Sequence, residues 1–427
     1  MPSVIGVDFG TTNSVVAVRG EDGGLTTARF AVGAEAIDVF RSVLCFWTEA
    51  GQAHQAAGPA AIEAYLEDPL ASRLIMSMKS YLALRSFGET RIQGRGWRLE
   101  DLIALLLRVL LAGQASAGTQ LIAGRPVRFA GDVPDDPLAE QRLRAAYAAA
   151  GFPNIGFALE PEAAGHRFAA TLDRPTTVLV GDFGGGTSDF SVLRFVPGAT
   201  RRVTALGHAG IGLAGDDFDY RIIDHVVSPL LGKGDSYGVM GKRMPVPVGW
   251  YAGFARWHRL SLMRAPRTLA DIATVARTAD DPARLHHLIR LIEDEAGYAL
   301  YRAVSGVKAA LSRADRAVLN FRHDGFAVEA EIARADFESW IAPDLARIGG
   351  AVEAALADAG LDHGQVDRVF LTGGTSLVPA VRRLFETRFG AERLAGGGEF
   401  VSVAEGLALI GAARGTTARQ TVGAAVP

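Results

Sequence analysis

Cys45 is the only cysteine in 427 residues, which excludes intramolecular disulfides and cysteine-rich zinc sites. Lysine is almost as scarce. Only Lys79, Lys233, Lys242 and Lys308 occur, and arginine supplies the rest of the 44 basic residues. None of the four lysines lies in a Gly-x-x-x-x-Gly-Lys-Ser/Thr run, so a P-loop nucleotide site is excluded. No apolar stretch reaches the ~18 uninterrupted residues of a membrane span; the longest, around Leu102 to Leu111, carries Arg108 and follows Glu100-Asp101. The N-terminus lacks the basic segment and apolar core of a signal peptide. A formal net charge of −3 gives no global electrostatic case for nucleic acid or anionic membrane. These absences leave a cytoplasmic, globular chain of a length that suggests two domains.

What is present is a repeat. Val4-Ile5-Gly6-Val7-Asp8-Phe9-Gly10-Thr11-Thr12-Asn13-Ser14-Val15-Val16 returns far downstream as Val178-Leu179-Val180-Gly181-Asp182-Phe183-Gly184-Gly185-Gly186-Thr187-Ser188-Asp189-Phe190. Each copy is an apolar run ending in Asp-Phe-Gly, a small polar turn and a second apolar run, the pattern of a hairpin. Two hairpins, each opening about half the chain, predict a duplicated α/β unit facing itself across a cleft. Helices are expected over Leu99–Leu111, Leu138–Ala150, Asp216–Val227, Asp281–Ile292 and Glu293–Ser312, a loop over Leu231–Pro247, a strand over Val366–Thr372, and a tail from Gly415.

The hairpin turns suit phosphate. Small residues allow close approach, and successive backbone N–H groups form an anion-binding nest. Thr11, Thr12 and Thr187 add hydroxyls. Asp8 and Asp182 cannot attract triphosphate themselves, so their sensible role is to hold Mg²⁺ through its waters. Gly373-Gly374-Thr375-Ser376 follows an apolar strand and can offer N–H groups to an α-phosphate. Gly210-Ile211-Gly212-Leu213-Ala214-Gly215 fits a dinucleotide fingerprint, but Asp216 and Asp217 follow, and two carboxylates there would repel a pyrophosphate. His286-His287 lack a carboxylate at ligand spacing. Trp250-Tyr251, Phe254, Arg256, Trp257, His258 and Arg259 read as an amphipathic helix with its aromatics inward, not a single-strand nucleic-acid platform.

Taken in order, these segments resemble the heat-shock protein 70 (DnaK-type) family within the actin-like ATPase superfamily. Gly6 to Ser14 resembles its first phosphate loop and Asp182 to Asp189 its second. Glu160-Pro161-Glu162-Ala163-Ala164 is similar to its connecting segment, and Leu213 to Asp219 to its Leu-Gly-Gly-Glu-Asp-Phe-Asp run. Lys308 to Ser312 matches part of its adenine helix, and Gly373 to Pro379 its adenosine loop. With Gly165, the connecting segment looks especially like the YegD-type branch. The resemblance implies an actin-like ATPase fold of two ribonuclease H-like lobes around a nucleotide cleft, each with an inserted subdomain. Lobe I is expected over 1–173 (insert about 31–117), completed by a C-terminal helix at about 399–415. Lobe II is expected over 174–398 (insert about 216–305), with a flexible tail over 416–427.

It further implies ATP or ADP with Mg²⁺ as ligand. Asp8 and Asp182 would be the metal-side carboxylates, with Glu160 orienting water or metal. Gly10, Thr11, Thr12, Asn13, Gly184, Gly185, Gly186 and Thr187 would line the phosphates. Gly215, Lys308, Gly373, Gly374 and Thr375 would sit toward the nucleoside. Two departures stand out. No β-rich peptide-binding domain follows, and the family's Gly-x-Ala-Ala-Lys lysine falls on Ile62 of Gly58-Pro59-Ala60-Ala61-Ile62. The expectation is a monomeric, chaperone-like nucleotide switch with slow ATP hydrolysis and a protein partner. The alternatives are a small-molecule kinase of the same fold and an actin-like filament protein. Arg73 and Lys79 are the nearest substitute cations in sequence.

Overall fold

A computed structural model of the chain describes all residues except 1–2, 33–34, 69–70, 115–118, 132, 170–171, 198–201, 257–259, 261–262, 295, 397–400 and 424–427. It forms two compact units. One comprises residues 1–214, 347–377 and 381–427; the other comprises 215–346 with 378–380.

The first unit holds two sheets of one design. In the first, strands β1 (Val4–Phe9), β2 (Asn13–Arg19), β3 (Leu25–Thr27), β4 (Gln120–Arg125) and β5 (Ile155–Leu159) lie in the order β5-β4-β1-β2-β3. In the second, β6 (Thr176–Phe183), β7 (Ser188–Val196), β8 (Arg202–Ile211), β9 (Arg368–Thr372) and β10 (Leu394–Gly396) lie in the order β10-β9-β6-β7-β8. Each sheet has an antiparallel three-strand meander whose opening strand pairs in parallel, on its other side, with one later strand, which in turn pairs in parallel with a second. This is the duplicated actin-like ATPase fold. The opening strands β1 and β6 are central in their sheets, so both faces are covered and almost every residue is buried, which is why they read as unbroken apolar runs.

Two helices follow the sequence pattern closely, and a third forms from the connecting segment at Glu160. Helix α1 (Leu99–Leu110) buries seven of its residues and carries Glu100 and Asp101 in its first turn, where carboxylates favour the helix dipole. Helix α2 (Asp136–Ala149) is capped by the Asp135 side chain, which accepts from the Leu138 N–H. Helix α3 (Glu160–Ala169) lies against β6, β7 and the C-terminal helix Ser402–Gly423, which also packs on β1, β2 and β4. Glycines make that packing possible. A Cβ on Gly406 would stand 1.7 Å from the Ala163 carbonyl oxygen, and one on Gly6 would stand 2.1 Å from the Ala404 carbonyl oxygen. The C-terminal helix runs on to Gly423, past the Gly415 at which the sequence predicts a tail. The Ala-, Thr-, Arg- and Gln-containing segment there carries no proline to stop it.

In the second unit, α4 (Gly215–Ile222) continues into a π-turn at Ile223–Val227. Helix α5 (Pro282–Glu293) starts at Asp281, whose side chain accepts from the Ala283 N–H. Helix α6 is Gly297–Leu311. The stretch expected as a loop over Leu231–Pro247 contains a hairpin instead, Ser236–Val239 against Lys242–Pro245. Met240 and Gly241 both take positive φ, 47° and 78°, which gives the tight turn that right-twisted strands need. Tyr251 and Phe254 of the aromatic-basic run are buried, and the Tyr251 hydroxyl donates to the Leu231 carbonyl at 2.9 Å; Trp257, His258 and Arg259 lie outside the described residues.

The glycine crossing makes a direct prediction. Gly406→Ala drives a methyl into backbone that cannot rotate away, and should cost about 3 kcal/mol, the upper part of the range for overpacking. Gly350→Ala, at an exposed helical site with nothing within 4 Å of the new Cβ, should gain about 1 kcal/mol from helix propensity. Urea denaturation of both variants checks the pair; equal effects would remove the packing argument.

Candidate functional site

The site is built where the hairpin turns of the two sheets meet. In the first turn, a Cβ on Gly10 would stand 2.1 Å from the Asn13 carbonyl oxygen, so only glycine lets the chain close so tightly. The turn is anchored by Ser42, whose N–H donates to the Thr12 carbonyl at 3.0 Å, and by the Arg41 guanidinium, which donates to Asn13 Oδ1 at 2.8 Å. Thr11 is buried, and the buried Thr12 Oγ1 has no hydrogen-bond partner among the described residues.

In the second turn, the Gly184 N–H donates to the Thr187 carbonyl at 2.9 Å, while Gly184, Gly185 and Gly186 keep accessible surface. Ser188 Oγ donates to the Leu213 carbonyl at 2.7 Å. Asp189 is buried, and its Oδ1 accepts from the N–H groups of Val127 and Arg128 at 2.7 and 3.1 Å. A Cβ on Gly186 would lie 3.4 Å from Ser80 Oγ and 3.5 Å from Thr11 Oγ1, so the two turns and the segment around Ser80 converge on one place.

The third glycine turn joins them. Gly373 has φ +85° and a Cβ there would stand 2.1 Å from the Phe183 carbonyl oxygen. Gly374 and Thr375 belong to the 3₁₀ turn Gly374–Leu377, and Thr375 Oγ1 donates to the Gly184 carbonyl at 3.4 Å.

Beneath the turns lies a cluster of carboxylates. Asp8 and Asp182 end β1 and β6, Asp189 lies opposite Asp182 across the β6–β7 ladder, and Glu160 opens α3. Into this cluster reaches Lys79, 6% exposed, whose Nζ donates to Glu160 Oε1 at 2.6 Å. Burial pushes the Asp8 carboxyl up to about 7, with Glu160 adding to the rise and Lys79 opposing it. Burial, then Glu160, also lift Asp189 to about 7, against the Arg128 N–H and the Thr187 hydroxyl. Asp182 is raised well above the usual carboxylate range by burial and then by Glu160, Asp8 and Asp189. Burial alone would lower Lys79, but Glu160 and Asp8 outweigh it and the ammonium is held charged. The buried Tyr147 hydroxyl has no hydrogen-bond partner among the described residues, and burial followed by Asp8 and Glu160 raises its pKa.

The geometry thus brings together Asp8, Gly10, Thr11, Thr12, Asn13, Glu160, Asp182, Gly184, Gly185, Gly186, Thr187, Gly373, Gly374 and Thr375 within the first unit. Lys308 and Gly215 lie in the second. There the Lys308 Nζ donates to the Gly215 carbonyl at 2.8 Å and pairs with Asp219 Oδ1 at 2.9 Å. Of the two substitute cations, Arg73 hydrogen-bonds instead to the Arg91 carbonyl and to Thr90 Oγ1. Lys79 is the residue that sequence reasoning undervalued. The expectation of slow turnover rested on the aliphatic Ile62, and the cluster takes its cation from a different segment. The Gly210 to Gly215 run is no dinucleotide turn: Gly210 belongs to β8, antiparallel to β7, and a Cβ there would stand 2.5 Å from Asp189 Oδ1.

Two sheets that share one five-strand order, the first with the short strand Phe40–Arg41 added beside β2, carry Gly- and Thr-rich turns that meet over strand-end aspartates and define the class: an actin-like ATPase fold. A family profile described as Hsp70 protein matches residues 140–236 and 285–422, more than half of the chain. The chain belongs to the Hsp70 family, whose members bind ATP and ADP, and its function is of the ATP-binding, chaperone type. The match contains every strand of the second sheet; the first hairpin lies outside it and is tied in by the matching strand order of its own sheet.

The crowded carboxylates carry a pH signature. Asp189 holds its proton in the folded protein up to about pH 7 but releases it near 4 when unfolded. Stability should therefore fall as pH rises from about 4 through 7 and level off above. Asp189→Asn keeps an oxygen for the Val127 and Arg128 N–H groups and removes this loss. Without divalent cations its stability relative to wild type should be on the order of 2 kcal/mol more favourable at pH 8 than at pH 5. Denaturation midpoints at the two pH values test this; a pH-independent difference would refute it.

Proposed function

We propose that the chain binds ATP with Mg²⁺ where the two hairpin turns converge, and acts as a chaperone-type nucleotide switch of the YegD-like branch. The observation that carries this reading is the approach of Gly186 to Thr11 above Asp8 and Asp182. Backbone N–H groups and hydroxyls of Gly10 to Asn13 and of Gly184 to Thr187 would grip phosphates from both sides. The unpartnered Thr12 Oγ1 and the accessible glycine backbone are the features such a ligand would use. Asp8 and Asp182 would face Mg²⁺. The ion would be held through its waters, as its reluctance to dehydrate favours. When bound, Mg²⁺ offsets the carboxylate charge that otherwise opposes a triphosphate.

Gly373, Gly374 and Thr375 would serve the α-phosphate and nucleoside. Lys308 and Gly215 are the nucleoside-side candidates of the second unit, where the Lys308 ammonium is engaged by Asp219 and Gly215. The division into lobes near residue 173, the protein partner, the monomeric state and the cytoplasmic setting belong to the same proposal. Among the described residues no helix is long and apolar enough to cross a membrane.

ATP with Mg²⁺ should raise the melting temperature, because a ligand bound only by the native state stabilises it, by about 2.7 kcal/mol at 100 times the Kd. Asp8→Ala and Asp182→Ala should lose the Mg²⁺-dependent part of that gain. NAD should give no shift. A shift with NAD and none with ATP would overturn the reading.

A further inference from the structure

Residues 237–284 lie between the two stretches that match the Hsp70 profile, and they differ from the rest of the chain in charge. Eight arginines and lysines stand there against three aspartates and no glutamate, a local excess of +5 in a chain of net charge −3. The hairpin Ser236–Val239 and Lys242–Pro245 falls almost wholly within this segment. Its inner strand is paired on both sides, because the Gly238 N–H donates to the Thr278 carbonyl at 3.0 Å and the Asp280 N–H to the Ser236 carbonyl at 2.9 Å. The outer strand, Lys242–Pro245, is exposed along its whole length. Register sets Tyr237 opposite Met244 and Val239 opposite Lys242, so these four share one face of the hairpin.

The turn is the unusual part. Among the described residues four hairpins turn on two residues of positive φ, the second always glycine: Ala50-Gly51, Gln93-Gly94, Met240-Gly241 and Asp324-Gly325. Such turns favour Asn, Asp or Gly at the first position, and three of the four carry a small or polar residue there. Met240, at φ 47°, suits neither the backbone nor water, for it is 100% exposed, and Val239 and Met244 on the same hairpin are 39% and 46% exposed. Folding gains nothing from that thioether side chain. Two cations flank it. Lys242 follows the turn directly, and Arg277 precedes Thr278, which pairs with Gly238; both are exposed, and neither has an ion pair among the described residues.

A projecting apolar tip with unpaired cations behind it is complementary to an anionic bilayer, whose acyl boundary takes apolar side chains while its phosphates take the cations. Addition of a peptide strand to the outer edge is disfavoured, since that strand is short and carries Lys242 and Pro245, the residue types that blunt a sheet edge. Single-stranded nucleic acid requires aromatic faces on which bases stack, and Tyr251 and Phe254 of the neighbouring aromatic run are buried. We propose that the hairpin Ser236–Pro245 docks the protein on an anionic phospholipid surface, with Met240 entering the interface and Lys242 and Arg277 at the headgroup phosphates. The docking is peripheral and makes no use of the glycine turns of the first unit.

Co-sedimentation of the full chain with vesicles tests the proposal, using phosphatidylcholine alone and phosphatidylcholine with about one-third phosphatidylglycerol. The protein should sediment with the anionic vesicles only, and about 1 M salt, which shortens the Debye length to about 3 Å, should release most of it. Asparagine favours the left-handed turn, so Met240→Asn should melt at or above the wild-type temperature while binding the anionic vesicles about tenfold more weakly. Lys242→Gln combined with Arg277→Gln should weaken binding about 10- to 30-fold. Cys45 is buried, so Met240→Cys takes an environment-sensitive fluorophore at the tip, and its emission should shift to the blue with anionic vesicles. Absence of binding to those vesicles overturns the proposal, as does binding that Met240→Asn leaves unchanged. A label that stays in water while the protein sediments overturns it equally. Binding of single-stranded RNA or of polyglutamate in place of vesicles, lost on removal of the two cations, would overturn it and assign the surface to nucleic acid or to an acidic protein.

Discussion

The contact between Lys79 and Glu160 is the interaction on which the arrangement of the site depends. Four carboxyl groups stand together under the turns because two copies of one hairpin each end a strand in aspartate, and because a helix opens with glutamate at the same place. Such a group is unfavourable in a protein interior. The raised pKa values of Asp8, Asp182 and Asp189 express that cost directly. One buried ammonium, 2.6 Å from Glu160, offsets part of it and fixes the start of α3 against the turn Met78–Tyr81. What remains is a site that is short of positive charge, and that deficit is a physical reason for it to bind a divalent cation together with an anion. Stability has been given up locally in a manner common where function needs unsatisfied charge.

The surroundings are arranged to make that local cost tolerable. The two sheets repeat one strand order, and their opening strands are buried on both faces, so the aspartates end the most rigid elements of the unit. Between the sheets run α3 and the C-terminal helix, which approach closely because Gly406 and Gly6 present no Cβ. Glu160 is thus carried on a helix whose position is set by backbone-to-backbone contact, and its carboxylate cannot drift away from Lys79 without disturbing a packed crossing.

Much of this was legible in the sequence, and the reasons differ from residue to residue. Asp8 and Asp182 were visible because each sits in an apolar run that recurs with the same turn chemistry. Gly10 and Gly373 were visible as turn glycines, though only the structure shows that their missing Cβ atoms make room for the Asn13 and Phe183 carbonyls. The Gly210 to Gly215 run imitated a dinucleotide motif because a strand next to Asp189 also needs glycine for close approach. Lys79 was harder to read. It lies on one 3₁₀ turn without periodicity, flanked by Met78 and Ser80, and reaches Glu160 across a long stretch of sequence. Its scarcity as one of four lysines was the only local signal. The hairpin at Ser236–Pro245 was missed for a similar reason: glycine and proline density resembles a loop, and its two strands are too short to show alternation.

Scarcity of lysine has a further structural meaning once Lys308 is placed beside Lys79. Both are largely buried, and both are paired with acids: Lys79 with Glu160 in the first unit, Lys308 with Asp219 in the second. The chain meets its other needs for positive charge with arginine, mostly in exposed pairs such as Arg98–Asp101 and Arg316–Glu331, whose contribution is small. Arginine's planar fork could not replace either lysine without change, since a guanidinium needs width and several in-plane acceptors, whereas an ammonium fits a narrow site as a point charge that can turn from one acceptor to another. Beside Glu160 the buried positive charge is accordingly a compact one.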